Sequence, residues 1–385
     1  MHVVHIVPEM QEGGVERVIV DMCRELVQRG IACTVISRGG RLVAQIEAHG
    51  GHHITHDVCS KNVLTFFLRA RRLRRILAEL APDLVHVHSR LPAWMLHAAN
   101  RWLHLPVVTT VHGLNRPSPY SRIMTCAHRV ICVSEAVRDH LRRHYGTSDN
   151  IMRVVYFGIN TRAFDPDHFD MGFVERFRRE YRLDGRFVVT SAGRLTPSKD
   201  YETFIRGVIA AREQAPNIVG VIVGGANGRH RAYERQLRQL VHTLGADDMI
   251  RFVGRQDAMA EICALSDVMV SCSSKPESFG RTLAEALAMN TPVVATAHGG
   301  ALEIVRESVD GFLFPPHDAQ ALARCLDAVR RHPVFTGLRD GILQRFSLAQ
   351  TMTGIQTVYR EALESVGSLA ASTGNPGPVA KNTSG

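Results

Sequence analysis

The sequence predicts an α/β protein made of two doubly wound, parallel-sheet domains. Two observations carry this. Short apolar, β-rich runs alternate with amphipathic helical stretches twice along the chain, a pattern that puts helices on both faces of a parallel sheet. A Pro/Asp-rich connector, "FGINTRAFDPDHFD", separates the two series. At 385 residues, each half can build a core of ordinary size.

In the first series "HVVHIV", "CTVIS", "LVHVHS", "PVVTTVHG", "RVICVS" and "MRVVYF" read as buried strands. Helical periodicity fills the gaps over Val15–Arg29, Asn62–Leu80 and Glu135–Tyr145. The second series runs "FVVTSAG", "IVGVIVGG", "MIRFVG", "VMVSCS", "PVVAT" and "GFLFP". The expected domains are residues 1–160 and 161–347, with a helix at about 348–365 packing back on the first. The segment 367–385, rich in Pro, Gly and polar residues, is expected to be disordered. Ligands of such sheets bind at the C-terminal strand ends, so a cleft between the domains is the expected site.

Composition narrows the function. Hydrophobic residues at 45% and charged residues at 22% suit a soluble globular protein. No run of 18 apolar residues suggests a transmembrane helix, and "MHVVHIVPEM" reads as a first strand, not a leader. The eight cysteines show no C-x-x-C or metal-like spacing and fit a reducing cytoplasm. The net charge of +9 is uneven: residues 1–160 hold 20 Arg and Lys against 12 Asp and Glu, the remainder 26 against 25. The first half should therefore meet something anionic. No nucleic-acid motif accompanies the charge, so an anionic membrane surface or acceptor is expected, and no nucleic acid. "FLRARRLRRILAEL" supports this with Arg69, Arg71, Arg72, Arg74 and Arg75 on one helix, whose apolar stripe would be Leu68, Leu73, Ile76, Leu77 and Leu80. The same pattern also describes any surface helix with a solvated face.

Two carboxylates stand out in "PESFGRTLAEALA": Glu277 just before an expected helix and Glu285 inside it. Eight helical residues rise about 12 Å and separate the side chains by some 80°. A glycosidase pair needs its carboxyls roughly 5–10 Å apart across one bond, so this spacing better suits two grips on one long ligand. A helix opening near Gly280 would aim the amides of Arg281, Thr282 and Leu283 at a phosphate between them.

This order of motifs resembles glycosyltransferase family 4, retaining enzymes with the GT-B fold of two facing Rossmann-like domains. The resemblance runs to about residue 365 and is strongest at "ESFGRTLAEALA", which is similar to the family's E-x7-E pattern. It implies that Glu277, Phe279 and Gly280 hold the donor sugar and Glu285 the ribose. In "AGRLTPSKD" it implies that Arg194 and Lys199 bind the diphosphate. The chain uses 42 Arg and four Lys, and keeps a Lys here, where a compact point charge suits a phosphate. Gly14, in "GGVE", would contact the diphosphate, and His112, ending a strand in "VVTTVHGLN", the donor sugar or its phosphate, with Glu277 and His112 as the catalytic pair. His86 and His88 share a strand face but lack a third ligand at recognisable spacing, and "DPD" at 165–167 lies in a connector, so no metal site is expected. Two departures from the family are Asn290 for the usual Gly and the missing acid in "VGGANG".

The activity implied is transfer of a sugar from a nucleotide-diphosphate sugar to a glycan, lipid-linked or cell-envelope acceptor, metal-independent and without another cofactor, in the cytoplasm and peripherally at the membrane. Rival readings are a sugar-nucleotide epimerase on the same fold and a non-enzymatic anionic-lipid-binding protein.

Overall fold

The buried apolar runs form two parallel sheets, seen in a computed structural model that describes residues 1–11, 13–226, 228–332 and 335–373. The first contains β1 (His2–Ile6), β2 (Ala32–Ser37), β3 (His52–Thr55), β4 (Leu84–Val87), β5 (Val107–Val111), β6 (Arg129–Cys132) and β7 (Met152–Val154). Their order is β3-β2-β1-β4-β5-β6-β7. The second contains β8 (Phe187–Ala192), β9 (Ile218–Val223), β10 (Ile250–Gly254), β11 (Val268–Ser271), β12 (Val293–Thr296) and β13 (Gly311–Phe314), in the order β10-β9-β8-β11-β12-β13. Strand order therefore reverses beside β1 and β4 in one sheet and beside β8 and β11 in the other. Ligand crevices form at such switch points.

The chain divides into two compact units, Met1–Tyr156 with the chain from Ala349, and Phe157–Leu348. The crossing falls at Tyr156, ahead of the expected 160, because local packing sets it. The Tyr156 carbonyl accepts from Thr351 Oγ1 at 2.8 Å, whereas Phe157 meets Phe279 edge-on at 6.4 Å inside the second unit. The returning helix, Leu348–Thr373, buries Met352, Ile355, Val358, Tyr359 and Ala362, and Glu361 pairs with Arg129 and Arg153. Its backbone stays helical to Thr373, past the expected limit near 367, because "SLAAS" supplies helix formers. Residues 374–385 of the expected tail, and Asn227 in "VGGANG", lie outside the described residues.

Asn290 takes the left-handed conformation at φ 59°, just past the Arg281–Ala288 helix, and its side-chain oxygen accepts from the Arg339 amide. That is how Asn replaces a helix-ending Gly. Among the described residues, no helix is long and apolar enough to cross a membrane.

Candidate functional site

In the second unit the site gathers at the switch between β8 and β11. The loop leaving β8 carries the exposed Arg194 and ends in a single 3-10 turn, Pro197–Lys199. The loop leaving β11 carries Ser273 and Glu277. The Ser274 amide donates to the Ser198 carbonyl at 2.9 Å, joining the two loops. Across that junction Lys199 Nζ donates to Glu277 Oε1 at 2.5 Å, and Ser273 Oγ donates to the same oxygen. Burial would raise the Glu277 carboxyl, but the Lys199 ammonium and the hydrogen bonds from Lys199 and Ser273 outweigh it. They hold Glu277 below the usual carboxylate range.

Glycines seat the Glu277 loop. The Gly300 amide donates to the Glu277 carbonyl at 2.8 Å, and a Cβ at Gly300 would stand 2.3 Å from the Phe279 carbonyl oxygen. Gly299, at φ 60°, would bring a Cβ to 2.5 Å from the Glu277 oxygen. Gly300→Ala should therefore shift this loop and destabilise the unit by roughly 1–3 kcal/mol. Thermal unfolding and donor-binding titrations check this; a variant matching wild type in both would refute it. His298 Nε2 donates to the Ser273 carbonyl at 2.8 Å. These supporting residues, Ser273, His298, Gly299 and Gly300, were not singled out from the sequence.

The Arg281–Ala288 helix starts at Gly280, whose φ of 100° strains any residue with a side chain. Thr282 has no intrahelical acceptor for its amide in this first turn. The Leu283 amide does not face outward as expected: it donates to the Gly280 carbonyl at 3.0 Å, and the Leu283 side chain is buried. The Phe279 ring, expected at the donor sugar, instead packs edge-on against Phe346 at 5.4 Å and against Phe157, because a fully apolar ring gains more from the core than from a sugar edge. Glu285 is buried and accepts from Arg281 Nε at 2.6 Å, one turn away.

In the first unit the expected residues meet at the β1/β4 switch. Register places His5 of β1 directly beside His86 of β4. His5 Nδ1 lies 2.9 Å from His88 Nε2, and His88 Nδ1 lies 3.0 Å from His112 Nε2, just beyond β5. His86 is held at 2.7 Å by the Tyr359 hydroxyl and at 2.6 Å by Thr110 Oγ1. Burial pushes His5 and His112 down to about 3; burial and then the neighbouring histidines push His86 and His88 well below their ordinary value. These imidazoles are neutral at physiological pH.

His5 is the third imidazole that spacing alone concealed, and nitrogens of His5, His86 and His88 lie within 4.8 Å of one another. The rings overlap, at centroid separations of 4.1–5.2 Å and interplanar angles of 18–42°. Five of their six nitrogens bond to one another, to His112 or to hydroxyls, as in a hydrogen-bonded chain, and His5 Nε2 is buried without a partner among the described residues. Gly14 opens the Gly14–Gln28 helix after β1, with nothing within 4 Å of where a Cβ would stand.

The basic helix, Val63–Leu80, departs from its expected faces. Arg69 folds back to donate to the carbonyls of Asp57, Ser60 and Asn62, and Leu68 lies outside the buried stripe, which is Ala70, Leu73 and Leu77. Asn62 caps the helix by accepting from the Leu64 amide, and the chain bends there, so Arg69 is drawn to the open carbonyls.

Two Rossmann-like units, the first with buried neutral imidazoles and the second with a charged, glycine-seated loop at its switch point, have the architecture of a GT-B glycosyltransferase. Comparison with known proteins agrees. Residues 12–163 match the description "Glycosyltransferase Family 4" and residues 173–333 match "Glycosyl transferases group 1". A D-inositol 3-phosphate glycosyltransferase of Streptomyces bingchenggensis is 31% identical over 73% of this chain and 67% of its own. A glycosyltransferase structure from Rickettsia africae superposes with a TM-score of 0.85 at 26% identity, over 94% of this chain and 98% of that one. Anabaena HepE, solved with UDP and glucose, shares the fold with a TM-score of 0.80 at 22% identity, over 92% and 98%. The chain belongs to glycosyltransferase family 4.

Proposed function

We propose that the chain is a retaining, metal-independent hexosyltransferase moving a sugar from a nucleoside-diphosphate sugar to a glycan, lipid-linked or cell-envelope acceptor. The observation that carries this is the Lys199–Glu277 pair at the β8/β11 switch, next to the opening of the Arg281–Ala288 helix. Arg194, Lys199 and the first-turn amides of Arg281 and Thr282 bind the diphosphate. Glu277 and the Gly280 backbone grip the donor sugar. Glu285 Oε2 accepts from the ribose while Arg281 steadies Oε1.

Breaking the anomeric C–O bond sends its electron pair to the departing diphosphate and leaves positive charge on the sugar. Arg194, Lys199 and the helix opening stabilise the first by preorganised charge. The acceptor hydroxyl attacks from the same face and gives its proton to the diphosphate. The reaction takes place in the cytoplasm, with peripheral contact of the basic first unit on an anionic membrane.

A second reading of the acceptor, an inositol phosphate, is favoured by the Streptomyces relative and suits the same positive charge. A thermal-shift panel of UDP-, GDP- and ADP-sugars should give one that stabilises the chain by about 2.7 kcal/mol at 100 times its Kd. Acceptor assays with that donor then separate the two readings; stabilisation by none would overturn the donor assignment. EDTA should leave transfer largely intact, and activity lost in EDTA and restored by manganese would refute metal independence.

A further inference from the structure

At about 100° per residue, the Val63–Leu80 helix turns Ala70, Leu73 and Leu77 inward. Its outer face opens with Val63, Leu64, Phe67 and Leu68, which are 74%, 89%, 73% and 70% exposed. Arg71, Arg74 and Arg75 follow on the same face, within the same arc of about 140°. The neighbouring Arg90–Asn100 helix lies alongside, and between them runs a groove of about 340 Å³ lined by Phe66, Phe67, Arg71, Arg74, Trp94 and Trp102, among others. Trp102 is 65% exposed, with the guanidiniums of Arg74 and Arg101 at 5.0 and 5.9 Å from its ring. From Val58 to Ser134 the sequence has only two acids, Glu79 and Asp83, and neither lines the groove.

A contiguous apolar patch of this kind marks an interaction surface. Its chemistry selects the occupant: an apolar front, an interfacial tryptophan and a cationic rear match, in order, the acyl region, the boundary and the phosphates of an anionic bilayer. A second copy of the chain would bring arginines against arginines.

We propose that this face seats the chain on an anionic phospholipid bilayer, with Leu64, Phe67, Leu68 and Trp102 entering the headgroup–acyl boundary and Arg71, Arg74 and Arg101 meeting lipid phosphates. It deepens the membrane contact proposed above and rests on that reading, adding insertion to electrostatic adsorption.

The chain's two tryptophans, Trp94 and Trp102, both line the groove, so intrinsic emission reports this face alone. With vesicles of phosphatidylglycerol carrying brominated acyl chains, emission of the full chain should shift to the blue and be quenched; phosphatidylcholine vesicles should do neither. In 1 M salt, where the Debye length is about 3 Å, part of the quenching should persist. Leu64→Ser with Phe67→Ser should lower partitioning about tenfold, equivalent to 1.4 kcal/mol, while leaving the sugar-nucleotide thermal shift unchanged. Binding without quenching, full release by salt, or a concentration-dependent blue shift without vesicles would overturn the proposal, the last in favour of self-association. Vesicle binding with no thermal shift from any sugar nucleotide would sink the enzymatic reading and spare this one.

Discussion

Lys199→Ala should lower glycosyl transfer by at least tenfold, about 1.4 kcal/mol of transition-state stabilisation. Two losses combine. The diphosphate loses a positive charge where its own negative charge develops, and Glu277 loses the ammonium that keeps it ionised despite burial. In the wild type the Glu277 carboxyl sits below its usual range, so its contribution to stability is present above the unfolded carboxylate value and fades as pH falls through the lowered one. Without Lys199, burial is opposed mainly by the Ser273 hydrogen bond, and the carboxyl rises. The acid limb of the pH–rate profile should therefore move to higher pH in Lys199→Ala. Lys199→Arg should restore the acid limb more fully than turnover, because a planar fork replaces a point charge. Glu285→Ala should also cost tenfold or more, through donor affinity. Wild-type turnover and an unmoved acid limb in Lys199→Ala would remove Lys199 and Glu277 from the donor site.

The second large effect is acid lability of the first unit. His5, His86, His88 and His112 stay neutral in the fold far below the value of 6.5 at which they take protons when unfolded, and burial lowers His53, His56 and His128 as well. A depressed histidine contributes stability above its unfolded value, and that stability is lost as pH falls. Each fully buried histidine should cost about 1.4 kcal/mol per pH unit between pH 6.5 and the lowered value. Between pH 6.5 and 5 ordinary carboxylates are still largely ionised, so the histidines dominate. Trp94 and Trp102 lie in this unit and report its unfolding. Their thermal transition should drop steeply over this window, and less steeply in His88→Asn. A flat profile would mean that the imidazole chain is protonated or open to water.

What could be read from the sequence follows from how local each signal is. Twelve strands were legible because parallel strands buried on both faces are near-continuous Val and Ile runs. β3, "HHIT", was not: it is an edge strand, none of its residues is buried, and two are histidines. Glu277 and Glu285 stood out because their spacing lies within one segment. The partner of Glu277 lies 78 residues away, and His5 and His88 are 83 apart; only strand order brings them together. Phe279 and Leu283 sat in the right motif, but an apolar ring and a first-turn amide each had a nearer partner in the core or the turn. Arg69 looked like its neighbours until the open carbonyls at 57, 60 and 62 claimed it.

The return of the C-terminal helix to the first sheet also fixes the order in which the protein can be completed during synthesis. Residues 157–348 form one uninterrupted stretch and can close their core as soon as they leave the ribosome. The first unit is begun earlier but finished later, because Tyr359, the hydroxyl partner of His86, and the apolar face of Ile355, Val358 and Ala362 are translated only after the second unit. Until then the first sheet waits with an apolar face uncovered and a polar ring half-bonded. A nascent chain stalled anywhere in the second unit therefore presents the cell with a sticky, unfinished N-terminal half, the form that chaperones bind and proteases remove.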